Sequence, residues 1–378
     1  MEPDCRRIAV VIPKYGLTGG AEDFTAELTE RIARNPRYDI HVLANKWAGP
    51  AERIIFHKVP IITFPKFLTT ISFAWFAARL ISKIGFDLVH AQDRIFEADI
   101  FTMHGIPHCL WVREIRGKSM SLYDRVTAWV EKKLVTGHRC RYFLAVSGLA
   151  KEKFLQAYGT DSRMVQIVHP GVDTEKYAHL DRKLCRREIR REYGIGTEDT
   201  LLLFVAMNFD IKGLDRLITA LAILKSERPG ERFKLLVVGK GNIRKYLRLA
   251  GKLDIADRVV FTGVMGKEKL DRTYMASDIF AILSRFDTFG MVVLEAMAAS
   301  LPVVVTECVG AKDLVRDGIN GFIVEGGDDA MQISGKIAFL LDREKRLIMG
   351  EKAHATALSC TWEKVAQRVG ELYEKVHA

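Results

Sequence analysis

The 378-residue sequence lacks the features of secreted, membrane-spanning and disordered proteins. Its six cysteines stand far apart without a C-x-x-C pair, which predicts reduced thiols in a cytosolic protein. Its most apolar stretch, residues 67–86, contains Arg79 and Lys83 and falls short of the ~20 clean apolar residues of a spanning helix. Residues 1–15 include acidic side chains and an apolar run of only five residues, so we expect no signal peptide.

Two nucleotide-binding signatures are absent as well. No G-x-G-x-x-G follows the first apolar run, and no G-x-x-x-x-G-K-[ST] occurs anywhere. These absences argue against a dinucleotide-dependent oxidoreductase and a P-loop NTPase.

The composition is that of a folded protein with an excess of basic residues. Apolar residues make up 48% and charged residues 28% of the chain, which are ordinary values for globular domains. The length predicts two domains at ~150 residues each. Lys and Arg number 57 against 47 Asp and Glu; the net charge of +10 favours an anionic partner or has no functional meaning.

Short apolar runs alternate with longer amphipathic runs along most of the chain. Such a pattern is typical of parallel strands that helices cover on both faces. It predicts an α/β protein with two doubly wound, Rossmann-like parallel-sheet domains. The predicted strands are residues 8–12, 40–43, 88–90, 100–103, 142–146, 164–168, 201–206, 234–238, 258–261, 279–283 and 302–306. The predicted helices include residues 21–34, 181–193, 214–225, 291–299 and 362–376.

The domain boundary is predicted near residues 170–173, where the segment His169-Pro170-Gly171-Val172-Asp173 breaks regular structure after a strand. We therefore expect an N-terminal domain over residues 1–170 and a C-terminal domain over residues 171–359. The last helix has no strand after it and could cover either domain. We expect residues 360–378 to pack back on the N-terminal domain.

Open parallel sheets bind ligands at the carboxyl ends of their strands, so the candidate functional residues are those that follow the predicted strands. Gly19 and Gly20 follow the first strand and precede a helix, so their amides can approach an anion closely, although a plain tight loop is the alternative. His104 follows another strand and precedes a glycine, which favours function and structure about equally. His108 and Cys109 lie nearby, but the residues around them do not complete a metal site.

The stretch after the predicted strand 279–283 is the most informative. Asp287 precedes an apolar helix that begins after Gly290, and Glu295 lies about one turn into that helix. Both carboxylates can face a ligand at the helix start, where the N–H groups from Phe289 onwards would receive a phosphate. A glutamate on an apolar helix needs a polar partner, such as ribose hydroxyls; a salt-bridged or snorkelling glutamate is the alternative.

Two further strand ends contain lysines. Lys212 opens a helix after the strand 201–206 and can sit on a diphosphate as a point charge, or be an ordinary solvated lysine. Gly239, Lys240 and Gly241 form a turn after the strand 234–238.

This order of motifs resembles the retaining glycosyltransferases of family 4, which have the GT-B fold. The strongest match runs from Asp287-Thr288-Phe289-Gly290 through Leu294-Glu295-Ala296-Met297 to Leu301-Pro302-Val303-Val304. Further matches are Gly19-Gly20, Thr102-Met103-His104-Gly105, Val168-His169-Pro170-Gly171-Val172-Asp173, Lys212-Gly213-Leu214-Asp215, Val238-Gly239-Lys240-Gly241 and Phe261-Thr262-Gly263. The resemblance covers nearly the whole chain, and the N-terminal part is most similar to lipopolysaccharide-core glucosyltransferases.

The resemblance implies two domains that face each other across a cleft, with an acceptor on the N-terminal domain and a nucleotide-sugar donor on the C-terminal domain. It implies that Glu295 holds the donor ribose, Asp287 contacts hydroxyls of the transferred sugar and Lys212 neutralises the diphosphate. The expected catalytic residues are His104, Asp99, Asp287 and Lys212. The expected donor-binding residues are Gly19, Gly20, Lys212, Gly239, Phe289, Gly290 and Glu295.

The implied activity is transfer of a hexose, with retention, from UDP-glucose or a similar donor to a lipopolysaccharide-core or other cell-envelope glycan. We expect neither a cofactor nor a metal, because no D-x-D stands where a metal-dependent transferase needs one. A lysine and a helix N-terminus aimed at the β-phosphate can stabilise the charge that develops there. The acceptor hydroxyl would attack from the face that the diphosphate leaves, and a diphosphate oxygen would take the proton.

The sequence departs from the family at two positions. Residues 206–211 contain no arginine, although the family usually has a basic residue a few positions before Lys212. Arg285 and Lys240 are the candidates for the second charge. An aspartate, Asp287, also stands where the family often has a glutamate, which leaves the donor sugar open.

A basic, aromatic segment over residues 111–133 suits the anionic inner face of the cytoplasmic membrane; an ordinary solvated face is the alternative. A second basic helix over residues 181–193 could likewise be solvated. We expect a cytoplasmic protein with a peripheral membrane contact.

Two other hypotheses stay open. A nucleic-acid-binding protein would use the same basic clusters, but the sequence offers no RNA-binding signature, and no nucleic-acid partner is expected. A catalytically inactive protein that binds sugar nucleotides is the other.

Overall fold

The computed structural model describes residues 5–17, 19–49 and 52–377. The chain forms two compact units: the N-terminal unit, Met1–Gly171 with Trp362–Ala378, and the C-terminal unit, Val172–Thr361. The division lies next to the predicted boundary, and the last helix joins the N-terminal unit. Among the described residues, no helix is long and apolar enough to cross a membrane.

A parallel sheet of seven strands forms the centre of the N-terminal unit in its described residues. Its strands are β1 (Arg6–Val11), β3 (Tyr38–Ala44), β5 (Ile54–Lys58), β6 (Leu88–Ala91), β7 (Ile100–Met103), β8 (Tyr142–Ala145) and β9 (Val165–Ile167). Their order is β5-β3-β1-β6-β7-β8-β9. A separate short pair follows two of them, β2 (Lys14–Tyr15) and β4 (Lys46–Trp47).

Helices pack on this sheet because their apolar faces and the apolar side chains of its strands are buried against each other. They are α1 (Gly20–Ile32), α2 (Leu68–Ile84), α3 (His108–Leu110), α4 (Leu122–Thr136), α5 (Gly148–Tyr158) and, from the end of the chain, α14 (Trp362–His377), with single turns at Trp111–Ile115 and Ser162–Met164. Helix α14 packs along α1: the rings of Trp362 and Phe24 lie 5.4 Å apart, and Arg31 pairs with Glu363 at 2.7 Å.

The described C-terminal unit contains a second parallel sheet, of six strands. The strands are β10 (Thr200–Ala206), β11 (Phe233–Gly239), β12 (Val259–Gly263), β13 (Ile279–Ile282), β14 (Val303–Thr306) and β15 (Gly321–Val324), in the order β12-β11-β10-β13-β14-β15. The helices are α6 (Glu175–Ala178), α7 (Arg182–Glu192), α8 (Leu214–Glu227), α9 (Ile243–Lys252), α10 (Lys267–Ala276), α11 (Met291–Ala298), α12 (Ala330–Leu341) and α13 (Arg343–Leu358), with short turns at Ala256–Arg258 and Gly310–Leu314. The predicted class, two doubly wound parallel-sheet α/β domains, is confirmed.

The basic helix α7 is only partly solvated. Arg186 and Arg190 both bind the carboxylate of Asp278, at 2.7 and 2.6 Å, and Arg190 is buried. One face of α7 therefore fastens the amino-terminal edge of the C-terminal sheet through charged hydrogen bonds, and its other face is exposed.

The longer strands that the sequence analysis missed are β5 and β15, each of which forms one edge of its sheet. Strand β5 is partly exposed, with Ile55 at 48% of its full exposure, so it lacks the continuous apolar run of a buried parallel strand. Strand β15 begins with Gly321, whose added Cβ would lie 2.6 Å from the Val303 carbonyl oxygen. The glycine permits close pairing of β15 with β14, but it also interrupts the apolar run by which a strand is predicted from sequence.

Candidate active site

The loop that contains Lys212 is held tightly against the end of β13. Asn208 Oδ1 accepts the backbone N–H groups of Asp210 and Ile211, both at 3.1 Å. Gly213 has φ 74°, and a Cβ there would lie 2.0 Å from the Leu283 carbonyl oxygen, so only glycine allows this approach. The loop is thereby fixed at the carboxyl edge of the C-terminal sheet.

Lys212 and Asp287 form an ion pair at this edge, in which Lys212 Nζ donates to Asp287 Oδ2. The two side chains keep 22% and 17% of their full exposure, so the pair is partly shielded but reachable from solvent. A partly shielded pair is stronger than a surface pair, and a bound anion can still compete for the lysine.

The backbone of Asp287 is anchored to the loop after β14. Its N–H donates to the Cys308 carbonyl, and its own carbonyl accepts the Gly310 N–H, both at 2.9 Å. Gly290 then turns the chain at φ 92°, and α11 begins at the next residue. The first N–H groups of a helix have no partner within the helix, so a partial positive charge lies beside the Lys212–Asp287 pair. Phe289 is buried beneath this turn.

Glu295 lies half-buried in the second turn of α11, where Tyr274 Oη donates to its Oε2 at 3.0 Å. Burial raises the pKa of Glu295, and Lys176 and the Tyr274 hydrogen bond counteract that rise. Lys176 itself pairs with Asp271 at 2.7 Å. Glu295 is therefore a positioned acceptor rather than one side of a salt bridge, and a ligand hydroxyl suits it.

The Gly239-Lys240-Gly241 turn packs closely against the last residue of β10 and the loop that follows it. A Cβ at Gly239 would lie 1.8 Å from the Ala206 carbonyl oxygen, and one at Gly241 would lie 2.2 Å from the Phe209 ring. Lys240 is exposed, and its backbone N–H donates to Ala206 at 2.9 Å. Both glycines are thus required by packing, with or without a ligand.

Arg285, one of the two candidates for the second charge, is engaged in an ion pair and a hydrogen bond within the C-terminal unit. Its guanidinium binds Asp215 through two hydrogen bonds, of 2.7 and 3.2 Å, and the Asp210 carbonyl at 2.6 Å. The Asp215 carboxylate raises the pKa of Arg285, as expected for a committed ion pair. Arg285 therefore supports the Lys212 loop, and Lys212 is the cation that the structure places against Asp287.

In the N-terminal unit, His104 lines a pocket of about 430 Å³ at the carboxyl ends of β1, β6 and β7. Its Nε2 lies 2.9 Å from Gln92 Oε1, and its ring packs edge-on against Phe24. Burial, with a further contribution from Arg94, lowers the pKa of His104 to about 3. The imidazole is therefore neutral at pH 7, and it can exchange hydrogen bonds with a hydroxyl but does not supply a proton as an acid.

The polar residues next to His104 in this pocket were not predicted from the sequence. Gln92 and Arg94 directly follow β6, so the same strand-end rule could have found them. Arg94 binds the buried carboxylate of Glu131 at 2.6 Å, and that carboxylate also accepts the Tyr158 hydroxyl at 2.6 Å. His90, one strand position before the end of β6, has a pKa that burial lowers to about 3.

Acid titration should reveal these two neutral histidines. The folded pKa values of His90 and His104 lie below the unfolded value near 6.5, so only the unfolded chain gains protons as the pH falls. These two histidines should not affect the free energy of unfolding above pH ~6.5. Below that pH, each should lower it by about 1.4 kcal/mol per pH unit. Urea unfolding between pH 7.5 and 5 should show a weaker pH dependence for His90→Gln than for the wild type; equal slopes in the two proteins would contradict this account.

Asp99 is not brought to this pocket, and the expectation for it is corrected. It lies before β7, whereas His104 lies after β7, ~15 Å away at the other edge of the sheet. Its carboxylate accepts the Val89 N–H at 2.7 Å and pairs with Arg139 at 3.1 Å. Asp99 therefore fastens the start of the strand.

Gly19 and Gly20 lie where α1 begins, with the Gly19 carbonyl accepting the Asp23 N–H at 2.8 Å. Thr18, within the same motif, lies outside the described residues. No group of three or more His, Cys, Asp or Glu that could hold a metal ion occurs in the described part of the chain.

Comparison with known proteins gives the class. Residues 185–356 match the family described as "Glycosyl transferases group 1", and residues 18–176 match "Glycosyltransferase Family 4". The fold resembles that of WaaG, a glycosyltransferase involved in lipopolysaccharide biosynthesis, with a TM-score of 0.79 and 22% identity over 97% of this chain and 99% of that one. It also resembles HepE from Anabaena, solved with UDP-glucose, with a TM-score of 0.73 and 18% identity over 98% of this chain and 100% of that one.

Relatives that are similar in sequence are glycosyltransferases as well. A D-inositol 3-phosphate glycosyltransferase of Nocardia farcinica is 32% identical over 236 residues, which are 60% of this chain and 51% of that protein. An uncharacterized glycosyltransferase of Methanocaldococcus jannaschii is 27% identical over 84% of this chain and 85% of that protein. The chain spans about half the length of the inositol phosphate enzymes it matches. Fold and motifs together define a GT-B glycosyltransferase. Within that class, the chain belongs to the family 4 glycosyltransferases.

Proposed function

We propose that this protein transfers a hexose, with retention of anomeric configuration, from a nucleoside diphosphate sugar to a cell-envelope glycan such as the lipopolysaccharide core. The observation that supports this most is the Lys212–Asp287 pair at the start of α11, with Glu295 in the next turn. A diphosphate suits the lysine and the helix N-terminus, sugar hydroxyls suit Asp287, and ribose hydroxyls suit Glu295.

In the proposed reaction, Lys212 exchanges Asp287 for the donor diphosphate. Departure of the nucleoside diphosphate concentrates charge on its β-phosphate, where the ammonium and the first-turn amides of α11 stabilise it. The acceptor oxygen forms the new bond to the anomeric carbon on the face from which the diphosphate leaves. Its proton passes to a diphosphate oxygen, so the step needs neither a covalent intermediate nor a metal.

We propose UDP-glucose as the first donor to test, because HepE, which shares the fold, was solved with it. The aspartate at position 287 is one methylene shorter than the glutamate often found in the family. A shorter carboxylate leaves room for a different set of sugar hydroxyls, so donors with other sugars belong in the same experiment.

The N-terminal pocket favours a neutral hydroxyl as the acceptor. Its charged lining consists of three carboxylates and two cations: Glu22, Asp93, Glu131, Lys14 and Arg94. Arg94 is already bound to Glu131 and lies 3.4 Å from Asp93. A phosphate group would meet this excess of negative charge, whereas sugar hydroxyls can donate to the carboxylates and accept from the cations.

Product analysis tests the proposal. The protein is incubated with UDP-glucose, UDP-galactose or GDP-mannose and with envelope glycans that lack their terminal hexose, and proton NMR reports the anomer formed. We expect UDP release and an α-linked product from the α-linked donor. A β-linked product would refute retention, donor binding without release would favour the inactive sugar-nucleotide-binding alternative, and the absence of binding would refute the donor site.

We also propose that residues 111–133 contact an anionic membrane surface. After the turn Trp111–Ile115, Gly117 breaks the segment at φ 57°, and α4 then presents Leu122 and Trp129 at 59% and 50% exposure. Exposed apolar side chains beside exposed lysines suit a lipid interface.

The membrane contact predicts a charge-dependent binding to vesicles. Lys132→Gln with Lys133→Gln should lower partitioning onto phosphatidylglycerol vesicles about tenfold or more, since each cation near an anionic surface contributes about 1 kcal/mol. Lys345→Gln with Lys352→Gln, on α13, is the matched control and should have a much smaller effect. Equal binding to neutral and anionic vesicles, or equal loss in both variants, would contradict the proposal.

A further inference from the structure

A cavity of about 660 Å³ lies at the amino-terminal edge of the C-terminal sheet, and its volume is typical of sites for small molecules. Its lining comes mainly from the segments before β10, β11, β13 and β14 and from helices α7 and α13. Lys212 and Asp287 follow β10 and β13 instead, so they lie at the other edge of the sheet. The cavity is therefore separate from the proposed donor site.

Most of the acidic side chains lie at one end of this cavity. Glu198, Asp199 and Glu231 belong to the segments before β10 and β11. Asp199 is also paired with Arg232, 3.1 Å away. Strand β14 lies two strands from β10 and three from β11 in the sheet, or ~10–14 Å, so the end of the cavity at β14 is well removed from these carboxylates.

Three arginines line the end of the cavity at β13 and β14. Arg182 and Arg186 come from α7, and Arg346 comes from α13. Asp278 is the one acidic side chain among the described lining residues at this end. Its carboxylate already accepts from Arg186 and from the buried Arg190, at 2.7 and 2.6 Å. Little of its negative charge is therefore left to neutralise Arg182 and Arg346.

Arg182 and Arg346 also keep unused hydrogen-bond donors. Arg182 Nη2 donates to the Ala299 carbonyl, at the end of α11. Arg346 Nη1 donates to the Leu340 and Leu341 carbonyls, at 2.8 and 3.0 Å, at the end of α12. A guanidinium donates from three nitrogen atoms, so two nitrogen atoms of each side chain have no acceptor among the described residues.

The electrostatics at this end of the cavity favour an anion. Burial and the neighbouring Arg186 lower the pKa of Arg182. Burial, Arg186 and Arg343 lower the pKa of Arg346, although Asp278 raises both pKa values. Arginine stays charged at pH 7 even so, and an anion among these guanidinium groups would offset both their burial and their mutual repulsion.

We propose that Arg182, Arg186 and Arg346 form a binding site for the phosphate groups of a small anion. A guanidinium presents adjacent N–H groups that match the spacing of two phosphate oxygens, and a hydrogen bond to a charged acceptor is stronger than a neutral one. The three arginines come from two helices and line one cavity, as such a ligand requires. The site is independent of the proposed function, because none of its residues belongs to the donor site.

Titration with inorganic pyrophosphate tests the site. Calorimetry should show binding to the wild type and to Lys212→Met, since Lys212 lies at the other edge of the sheet. Arg182→Gln with Arg346→Gln should raise Kd about a hundredfold, roughly tenfold for each charge-assisted hydrogen bond lost. Arg187→Gln with Arg191→Gln is the matched control, because it removes the same charge from the exposed face of α7, and it should change Kd little.

Three results would overturn the proposal: no binding to the wild type, loss of binding in Lys212→Met alone, or an equal loss in the two double variants. Glycerol 3-phosphate in the same titration distinguishes two sources of the phosphate group. Binding of both ligands supports a site for phosphate esters, and binding of pyrophosphate alone supports a site for free diphosphate.

Chemical protection tests the same site in the wild type, where folding of the double variant is not needed. Phenylglyoxal modifies accessible arginines, and mass spectrometry of the peptides reports the rate at each one. Pyrophosphate at ten times its Kd should slow the modification of Arg182 and Arg346 about tenfold, because only the free site reacts. The exposed Arg187 should react at the same rate with and without pyrophosphate. Equal protection of all three arginines, or protection of none, would contradict the assignment.

Discussion

Replacement of Lys212 by methionine should lower kcat by about 10²–10³, the loss typical for one preorganised group that stabilises charge in the transition state. The lysine is held at the carboxyl edge of the C-terminal sheet by a loop that Asn208 and Gly213 fix, so its ammonium needs little reorganisation when charge develops on the diphosphate. The methionine side chain has a similar length but no charge. Release of UDP from UDP-glucose measures the effect.

Removal of Lys212 also leaves Asp287 without its partner, so loss of folding must be separated from loss of catalysis. Lys225→Met is the matched control, because Lys225 pairs with Asp254 at 3.1 Å on the surface of the same unit. Exposed pairs contribute at most about 1 kcal/mol, so this variant should keep its turnover. Turnover of Lys212→Met within tenfold of the wild type, at equal thermal stability, would contradict the assigned role.

Replacement of Glu295 by glutamine should raise KM for the donor by about tenfold or more and change kcat less. An ionised carboxylate accepts from two ribose hydroxyls, whereas an amide accepts through one oxygen, and a hydrogen bond to a charged group contributes about 1.5–3 kcal/mol. Contacts to the ribose are made equally in the ground state and in the transition state, so their loss appears mainly in KM. Initial rates against UDP-glucose concentration measure the split.

The Tyr274→Phe variant tests whether Tyr274 positions the carboxylate of Glu295 for its contact with the donor. The tyrosine donates to Glu295 from a fully buried position, so its loss should loosen the carboxylate but leave its charge, with a smaller rise in KM than Glu295→Gln. Equal donor KM values in the wild type and in Glu295→Gln would show that Glu295 does not bind the ribose of the donor.

The sequence predicts the fold well wherever the strands are buried on both faces. Residues 201–206 of β10 form an unbroken apolar run because helices cover the strand on both sides, and the prediction misses only Thr200, the first residue of the strand. The edge strands β5 and β15 escape the same rule, since partial exposure in one and a leading glycine in the other interrupt the pattern. Local pattern therefore predicts the centres of both sheets better than their edges.

The candidate site follows from sequence only as far as each residue lies at a strand end. Lys212 and Asp287 both satisfy this rule and meet in the structure. The hydrogen-bond partners of Glu295 and His90 could not be predicted from local sequence. Tyr274 contacts Glu295 from another helix, and Tyr373 contacts His90 from the last helix of the chain. For Asp99, which only the family resemblance places among the catalytic residues, the strand-end rule gives the better answer, because Asp99 lies before β7 rather than after it.

Ligand-induced stabilisation tests the central claim most directly. A ligand that binds only the folded state raises the free energy of unfolding by about 2.7 kcal/mol at a concentration of one hundred times Kd. UDP-glucose, or another nucleotide sugar of the panel, should raise the Tm of the wild type clearly, and should do so less in Lys212→Met and in Glu295→Gln. Equal shifts in all three proteins, or no shift with any nucleotide sugar, would show that the edge formed by Lys212, Asp287 and Glu295 does not hold a donor.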